Sequence, residues 1–186
     1  MKYVTFVNGK GGVGKTTLTI GCALSLHSLG RPVNIIDCDK QQTASEWWKT
    51  VVKNPIEGTP DVSFVDTPPD YDSPAWIKAV HQATHLFLVT SPSPADLKTS
   101  RETIERLRKM TKTPVYLIFN QIDKRTILSQ HIAEYAKRLD TPALQSVLSR
   151  KQEYQHAVLQ GWETLSKTGR LEFQSIVLEI LSIAMK

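Results

Sequence analysis

The stretch that decides the fold of this chain is Gly9-Lys10-Gly11-Gly12-Val13-Gly14-Lys15-Thr16-Thr17. An apolar run at residues 3–7 precedes it, and a helix-like run at residues 18–24 follows it. The order of strand, glycine-rich loop and helix carries the G-x-x-x-x-G-K-[ST] spacing of a phosphate-binding loop, or P-loop. Glycines let the backbone point its N–H groups inward at phosphate oxygens, and the start of the next helix adds partial positive charge. The stretch therefore predicts a nucleotide site.

The polar side chains of this loop have separate expected roles. We expect Lys15 to reach the β- and γ-phosphates of a nucleotide and the Thr16 hydroxyl to hold Mg²⁺. The alternative is a glycine-rich turn with chance lysines, which the strand before and the helix after make the weaker interpretation.

Composition limits the class of protein. The chain has 186 residues, of which 40% are hydrophobic and 22% charged, so we expect one globular domain spanning residues 1–186. The two cysteines, Cys22 and Cys38, lie in predicted core elements and lack metal-ligand spacing. No apolar run has the length of a bilayer span, and the first strand starts at once, so we expect a cytoplasmic protein without membrane association.

The charge balance permits an acidic partner. The net charge is +5 and the pI is about 9.2, and nucleic acid is the commonest partner of such a surface. The densest basic region lies in a predicted helix at residues 94–110, where a solvated face and a DNA surface are equally consistent with the pattern. Its basic residues are Lys98, Arg101, Arg106, Arg108 and Lys109, with Lys112 just beyond.

Strand-like and helix-like runs alternate along the chain, which predicts an α/β fold with a doubly wound, mostly parallel sheet flanked by helices. The predicted strands are residues 3–7, 33–37, 62–66, 85–90, 114–120 and 144–148. The predicted helices include residues 15–29, 42–52, 76–83, 94–110 and 126–139, and a final helix has Phe173, Ile176, Val177, Ile180, Leu181 and Ala184 on one face.

Acidic residues end two of the predicted strands. Ligands of open α/β sheets bind at the carboxyl ends of strands, so Asp37, Asp39 and Asp66 fall where chemistry is expected. Asp66 ends an apolar strand and would contact Mg²⁺ through water. Asp37 and Asp39 could instead cap the next helix.

Asn120 follows the fifth predicted strand and offers one donor and one acceptor, the pair that can read the N6 and N7 edge of adenine. Residues 120–123 also fit the N-K-x-D guanine motif with Gln121 in place of lysine, so GTP is a minority alternative to ATP. A helix cap is the other interpretation of Asn120.

The loop residues 10–17 resemble the deviant Walker A loop of the ParA/MinD family of ATPases. In that family the first lysine, here Lys10, crosses a homodimer that sandwiches ATP and touches the phosphates bound to the other subunit. The resemblance thus implies that Lys10 acts in trans on phosphoryl charge, as an arginine finger does elsewhere. It also implies that an asparagine at position 120 contacts the base.

Two further motifs carry the resemblance. Residues 37–41 are similar to the family's D-x-D-P-Q motif, with Lys40 in place of proline, and residues 66–69 match its D-T-P-P run. The resemblance implies that Asp37 supports the water shell of Mg²⁺ and that Asp39 orients or deprotonates the attacking water. The interval from Asp39 to Asp66 is shorter than is usual in ParA proteins, so a strand and a helix are expected to be missing there, with an open consequence for the dimer surface.

The resemblance implies a ParA-like Mg²⁺-ATPase that dimerises on ATP binding and holds the nucleoid through non-specific DNA contacts. A ParB-like or other cargo adaptor would stimulate hydrolysis, and the cargo would be a plasmid or chromosome. One alternative is the positioning of a protein cargo by the same cycle. Another, of a different class, is a metabolic P-loop enzyme that acts on a small substrate.

Overall fold

Parallel strands form the sheet at the centre of the fold. A computed structural model describes residues 1–123, 125–126 and 131–186. In that part of the chain the strands are β1 (Lys2–Val7), β2 (Asn34–Asp37), β3 (Val62–Asp66), β4 (His85–Thr90) and β5 (Val115–Phe119). They lie in the order β2-β3-β1-β4-β5. The register sets Asp37 beside Asp66, so both acids stand at the carboxyl edge of the sheet.

Helices connect the strands and follow the last one. They are α1 (Lys15–Ser28), α2 (Thr43–Val51), α3 (Pro74–Gln82), α4 (Pro94–Met110), α5 (Ile132–Arg138), α6 (Glu153–Gln160) and α7 (Lys167–Ala184). A 3₁₀ turn, Trp162–Thr164, lies between α6 and α7. Within the described ranges, no helix is both long and apolar enough to cross a bilayer.

Two apolar cores cover the two faces of the sheet. Along β1 the side chains alternate, so that Val4 and Phe6 join one core and Val7 joins the other. The first core includes buried residues of α1, α6 and α7, and the second includes those of α3 and α4. Helices on both faces of a parallel sheet confirm the predicted doubly wound α/β fold.

Most predicted elements agree with the structure to within a few residues. The predictions for residues 62–66, 85–90 and 94–110 match β3, β4 and α4 at both ends. The predicted helix 126–139 is described only in part, because residues 127–130 lie outside the described residues and α5 begins at Ile132. Between β2 and β3 the structure has α2 alone, so β2 is the edge strand of the sheet.

The prediction of a sixth strand at residues 144–148 is wrong. The segment runs beside β5 and makes only isolated bridges, Leu117 with Ala143 and Ile122 with Ser149. In a regular parallel ladder, the donors to Leu117 O and Phe119 O would be two residues apart. Here they are Leu144 N and Leu148 N, which are four residues apart, so two residues bulge out of the ladder.

The donors released by this bulge bind a side chain of α7. Gln145 N and Ser146 N donate to the carboxylate of Glu179 at 2.8 and 2.9 Å. A local sequence pattern cannot show this competing acceptor, because it is supplied by a helix more than thirty residues away along the chain.

The last helix, α7, is fixed to α1 by close packing. Phe173 is 1% exposed, and its ring lies so near Gly21 that a Cβ on that glycine would stand 2.1 Å from it. The same ring packs edge-on against Tyr154 with centroids 5.1 Å apart. Glycine at position 21 therefore allows α1 and α7 to approach closely.

Replacing Phe173 tests this contact. We expect Phe173→Ala to lower the free energy of unfolding by about 3–5 kcal/mol, because it leaves a cavity between α1 and α7. The control is Leu171→Ala on the same helix, where the side chain is 50% exposed and the expected change is within about 0.5 kcal/mol. Equal losses for both variants in urea denaturation would contradict the packing role.

Candidate functional site

The glycine-rich loop crosses the carboxyl edge of the sheet between β1 and α1. Gly14 precedes α1 with φ +99°, a left-handed conformation that favours glycine. A Cβ there would lie 2.0 Å from Nδ2 of Asn120, which donates a 2.7 Å hydrogen bond to Val13 O. Asn120, which follows β5, thus fixes the loop through this hydrogen bond.

Lys15, Thr16 and Asp66 meet at the start of α1. Thr16 Oγ1 donates to Asp66 Oδ2 at 2.7 Å, and Lys15 Nζ donates to Lys10 O at 3.1 Å. Asp66 is 2% exposed, and its Oδ1 is buried without a hydrogen-bond partner among the described residues. An orphaned carboxylate oxygen of this kind needs a cation or a donor that the protein itself does not supply.

Burial shifts the pKa values of Asp66 and Lys15 in the directions that favour the neutral form of each group. It raises the pKa of Asp66 to about 7, against the hydrogen bond from Thr16, and the negative charge of Asp37 adds to the increase. It lowers the pKa of Lys15, although the carboxylates of Asp66 and Asp39 oppose this shift. Such perturbed groups gathered in a cleft are typical of a functional site.

The two aspartates after β2 differ in their contacts. Both oxygens of Asp37 accept backbone hydrogen bonds, Oδ1 from Asp39 N and Oδ2 from Ser45 N in the first turn of α2. Asp39 Oδ1 accepts from Gln41 N, and Asp39 lines the cavity described below. The metal-supporting role of Asp37 and the catalytic role of Asp39 stay predictions.

Lys10 has its side-chain partner on α4. Its Nζ forms an ion pair with the carboxylate of Asp96, in the first turn of α4. Ser91 Oγ also donates to Asp96, at 2.5 Å, and Asp96 N donates to Ser93 Oγ. Burial raises the pKa of Asp96, but hydrogen bonds from Lys10 and Ser91 outweigh it and leave the pKa below its usual value.

The segment after Asp66 also contacts α4. The phenol of Tyr71 hydrogen-bonds with Thr103 Oγ1 at 2.9 Å, and Arg106 lies over the Tyr71 ring, 5.5 Å from its centroid. Arg106 also pairs with Asp72 at 2.5 Å. Helix α4 therefore touches both Lys10, through Asp96, and the loop that follows β3.

A cavity of about 750 Å³ opens beside the loop. One end is formed by the P-loop and α1, from Gly11 to Thr17, with Asp39 and Asp66 close by. A second part of the lining, which we call the far wall, is formed by residues 148–151 and Tyr154. Asn120 borders the cavity too, whereas Gly9, two residues after β1, and the buried Val13 are not among its described lining residues.

The residues of the possible base motif are already engaged. Asn120 Oδ1 accepts from Gln121 N, and Gln121 Nε2 donates to Gly12 O at 2.9 Å. Arg125 binds both oxygens of Asp123 and lowers the pKa of that carboxyl to about 2. Asn120 and Asp123 thus both have partners within the protein, and the choice between ATP and GTP stays a prediction.

Sequence reasoning missed several residues that support the site. Asn8 is buried and accepts from Lys10 N, and its Nδ2 donates to Val89 O at 2.7 Å. Its position immediately before the glycine-rich loop could have indicated from the sequence that it supports the site. Glu172 gave no such indication, because only the tertiary structure brings it to Ser149.

The fold and the site define a protein of the P-loop nucleotide-binding class. The model of the "CobQ/CobB/MinD/ParA nucleotide binding domain" family matches residues 4–164. The chain belongs to this family.

Comparison with known proteins gives relatives along most of the chain. The "Maintenance of carboxysome distribution protein A" of Gloeobacter kilaueensis is 31% identical over 188 residues, covering 91% of this chain and 86% of that protein. The protein of the same name from Halothiobacillus neapolitanus is 28% identical, covering 83% of this chain and 82% of the relative.

Solved structures show the same fold at low identity. The MinD cell division protein of Aquifex aeolicus superposes with a TM-score of 0.79 at 16% identity, covering 98% of both chains. An ATP complex of McdA from Cyanothece superposes with a TM-score of 0.77 at 14% identity, covering 97% of this chain and 96% of McdA.

The raised pKa of Asp66 predicts a pH dependence of stability. The folded protein holds this proton more tightly than the unfolded chain, whose Asp pKa is 3.8, so the stabilisation is lost as the pH rises through about 7. Without nucleotide and with a chelator present, the free energy of unfolding should fall as the pH rises from about 4 to about 7. Asp66→Asn should flatten this fall in denaturant titrations, and an equally steep fall in the variant would contradict the assignment.

Proposed function

We propose that this chain is a Mg²⁺-dependent ATPase that dimerises on ATP and positions a large cellular cargo. The observation that supports this proposal most directly is the difference between the environments of two lysines in the loop. Lys15 is buried beside Asp66 and lines the cavity, whereas Lys10 pairs with Asp96 and is not among the described residues that line the cavity. A second loop lysine that does not line its own cavity suits a group that acts on a neighbouring subunit.

The residues at the phosphate end fit an ATP–Mg²⁺ complex. The nucleotide phosphates would lie against the loop backbone and Lys15, and their charge would favour the protonated form of that buried lysine. Thr16 Oγ1 and Asp66 are the hard oxygen donors that Mg²⁺ prefers, and the orphaned Oδ1 of Asp66 is a suitable acceptor from a metal-bound water. Bound Mg²⁺ neutralises phosphate charge during transfer.

The hydrolytic step needs a base and a trans-acting cation. Water attacks the γ-phosphorus, the bond from that phosphorus to the β–γ bridging oxygen breaks, and ADP leaves. Asp39 borders the cavity and would accept the proton of the attacking water. Lys10 would leave Asp96 and stabilise the phosphate charge of the partner subunit, so that turnover depends on dimerisation.

The proposed cargo follows from the relatives. Two of them are named for maintaining the distribution of carboxysomes, which favours a protein assembly over a plasmid or chromosome as cargo. A cargo-bound adaptor protein would trigger hydrolysis.

Non-specific DNA would serve as the track on which the ATP-bound dimer is retained. The net charge of +5 supports this, as does the exposed basic surface of α4. Arg106 and Arg108 are engaged by Asp72 and Asp140, but Lys98, Arg101 and Lys109 are exposed and make no ion pair with any described residue. Phosphate contacts of this kind need no base readout.

The role of Lys10 is tested by Lys10→Ala beside Lys15→Ala. We expect Lys10→Ala to bind ATP with a dissociation constant within about threefold of wild type, but to lose about tenfold or more in turnover and to remain monomeric with ATP. Lys15→Ala should lose ATP binding itself. Fluorescent-nucleotide titration, phosphate release and light scattering measure these effects, and wild-type turnover in Lys10→Ala would overturn the trans role.

DNA binding is tested with random-sequence duplex DNA and no nucleotide, ADP or ATP. We expect binding with ATP alone, with affinity falling steeply between about 50 and 200 mM salt. Lys98→Gln with Arg101→Gln and Lys109→Gln should reduce the slope of log affinity against log salt by up to about 3. The matched control is Lys49→Gln with Lys53→Gln in and after α2, which should leave the slope unchanged. If the protein binds DNA neither without nucleotide nor with ADP nor with ATP, this part of the proposal is refuted.

A further inference from the structure

A carboxylate on the C-terminal helix contacts the far wall of the nucleotide cavity. Glu172 of α7 accepts hydrogen bonds from Ser149 N at 2.8 Å and from Ser149 Oγ at 2.9 Å. It also accepts from the phenol of Tyr154 and lies 3.2 Å from Lys151 Nζ. Each of these three partners belongs to the far wall.

Backbone hydrogen bonds join the far wall to the end of β5. Leu148 N donates to Phe119 O, Ile122 N donates to Leu148 O, and Arg150 N donates to Ile122 O, all at 2.9–3.0 Å. These bonds form in a segment that is not a continuous strand. Glu172 therefore supplies the second support for a wall that the sheet alone holds incompletely.

The contacts of Glu172 are those of a charged acceptor. Its side chain is 20% exposed, and although burial raises its pKa, hydrogen bonds from Tyr154 and Ser149 outweigh this and lower the pKa. A carboxylate with several donors holds them more strongly than a neutral acceptor does. The same contacts raise the pKa of Tyr154, after the larger effect of its burial.

We propose that Glu172 is a positioning residue for nucleotide binding, which fixes the far wall against the nucleoside end of ATP or ADP. The inference rests on the proposed function, because it assumes that the P-loop end of the cavity takes the phosphates and so leaves the far wall to the nucleoside. Glu172 itself does not line the cavity in the described part of the chain, so its effect on nucleotide passes through Ser149, Lys151 and Tyr154.

Glu179 provides a matched control on the same helix. It stands two turns further along α7 and accepts two backbone hydrogen bonds, from Gln145 N and Ser146 N. Neither of these residues lines the cavity. Glu172→Gln and Glu179→Gln thus remove the same charge from the same helix, and both weaken its contacts with the segment after α5. Only Glu172→Gln weakens contacts with residues of the far wall.

The test is titration of both variants with fluorescent ATP and ADP analogues, together with steady-state hydrolysis. Glu172→Gln should weaken binding of both nucleotides by about tenfold and raise KM by a similar factor, with kcat at saturating ATP within about twofold of wild type. Glu179→Gln should change neither dissociation constant by more than about twofold. Unchanged affinity in Glu172→Gln, or equal losses in both variants, would overturn the proposal.

A second variant covers the case in which Glu172→Gln does not fold. Tyr154→Phe keeps the ring that packs on Phe173 and removes only the hydroxyl that donates to Glu172. It should weaken both nucleotides by about threefold at unchanged kcat, and unaltered affinity would count against the proposal. If the wild-type protein binds neither nucleotide, the proposed function fails. If wild type binds and the variants match it, only the role of Glu172 fails.

Discussion

The site depends on two opposite charges, Lys15 and Asp66, held together in a buried place at the edge of a parallel sheet. The register puts Asp66 beside Asp37, and Asp66 also accepts from Thr16 at the start of α1. Burial raises the pKa of Asp66 and lowers that of Lys15, which favours the neutral form of each group. Asp66 keeps one buried oxygen without a partner among the described residues, and Lys15 Nζ donates to a neutral acceptor, the carbonyl oxygen of Lys10. An anionic ligand with its cation would satisfy both groups at once, which is why the arrangement favours a metal–nucleotide complex.

Helix α4 is the element through which this site can communicate with the surface. Its first turn holds Lys10 through Asp96, and its middle holds Tyr71 through Thr103 and Arg106. Both contacts involve segments that lie beside the nucleotide cavity, and the outer face of the same helix carries exposed basic residues. Helix α4 thus joins both segments to the surface proposed to meet DNA.

Helix α7 has a comparable place beside the far wall of the cavity. Phe173 fixes it to α1, while Glu172 and Glu179 replace the strand hydrogen bonds that the bulged segment after α5 does not make. A carboxylate can accept from two neighbouring N–H groups in a geometry that a parallel ladder does not allow, so the segment bends without leaving those donors unsatisfied. The far wall of the cavity thus depends on residues more than twenty positions away in sequence.

The sequence by itself determined the P-loop, the α/β order and the acids at the ends of β2 and β3, because loop spacing, apolar periodicity and strand ends are local properties. Family membership followed from the same motifs and was confirmed by the match over residues 4–164. Only the tertiary structure decided that Lys10 pairs with Asp96, that Asn120 supports the loop through Val13, and that residues 144–148 are not a strand. Each of these outcomes depends on a donor or acceptor that is distant in sequence, and no local pattern records which distant group will compete for it.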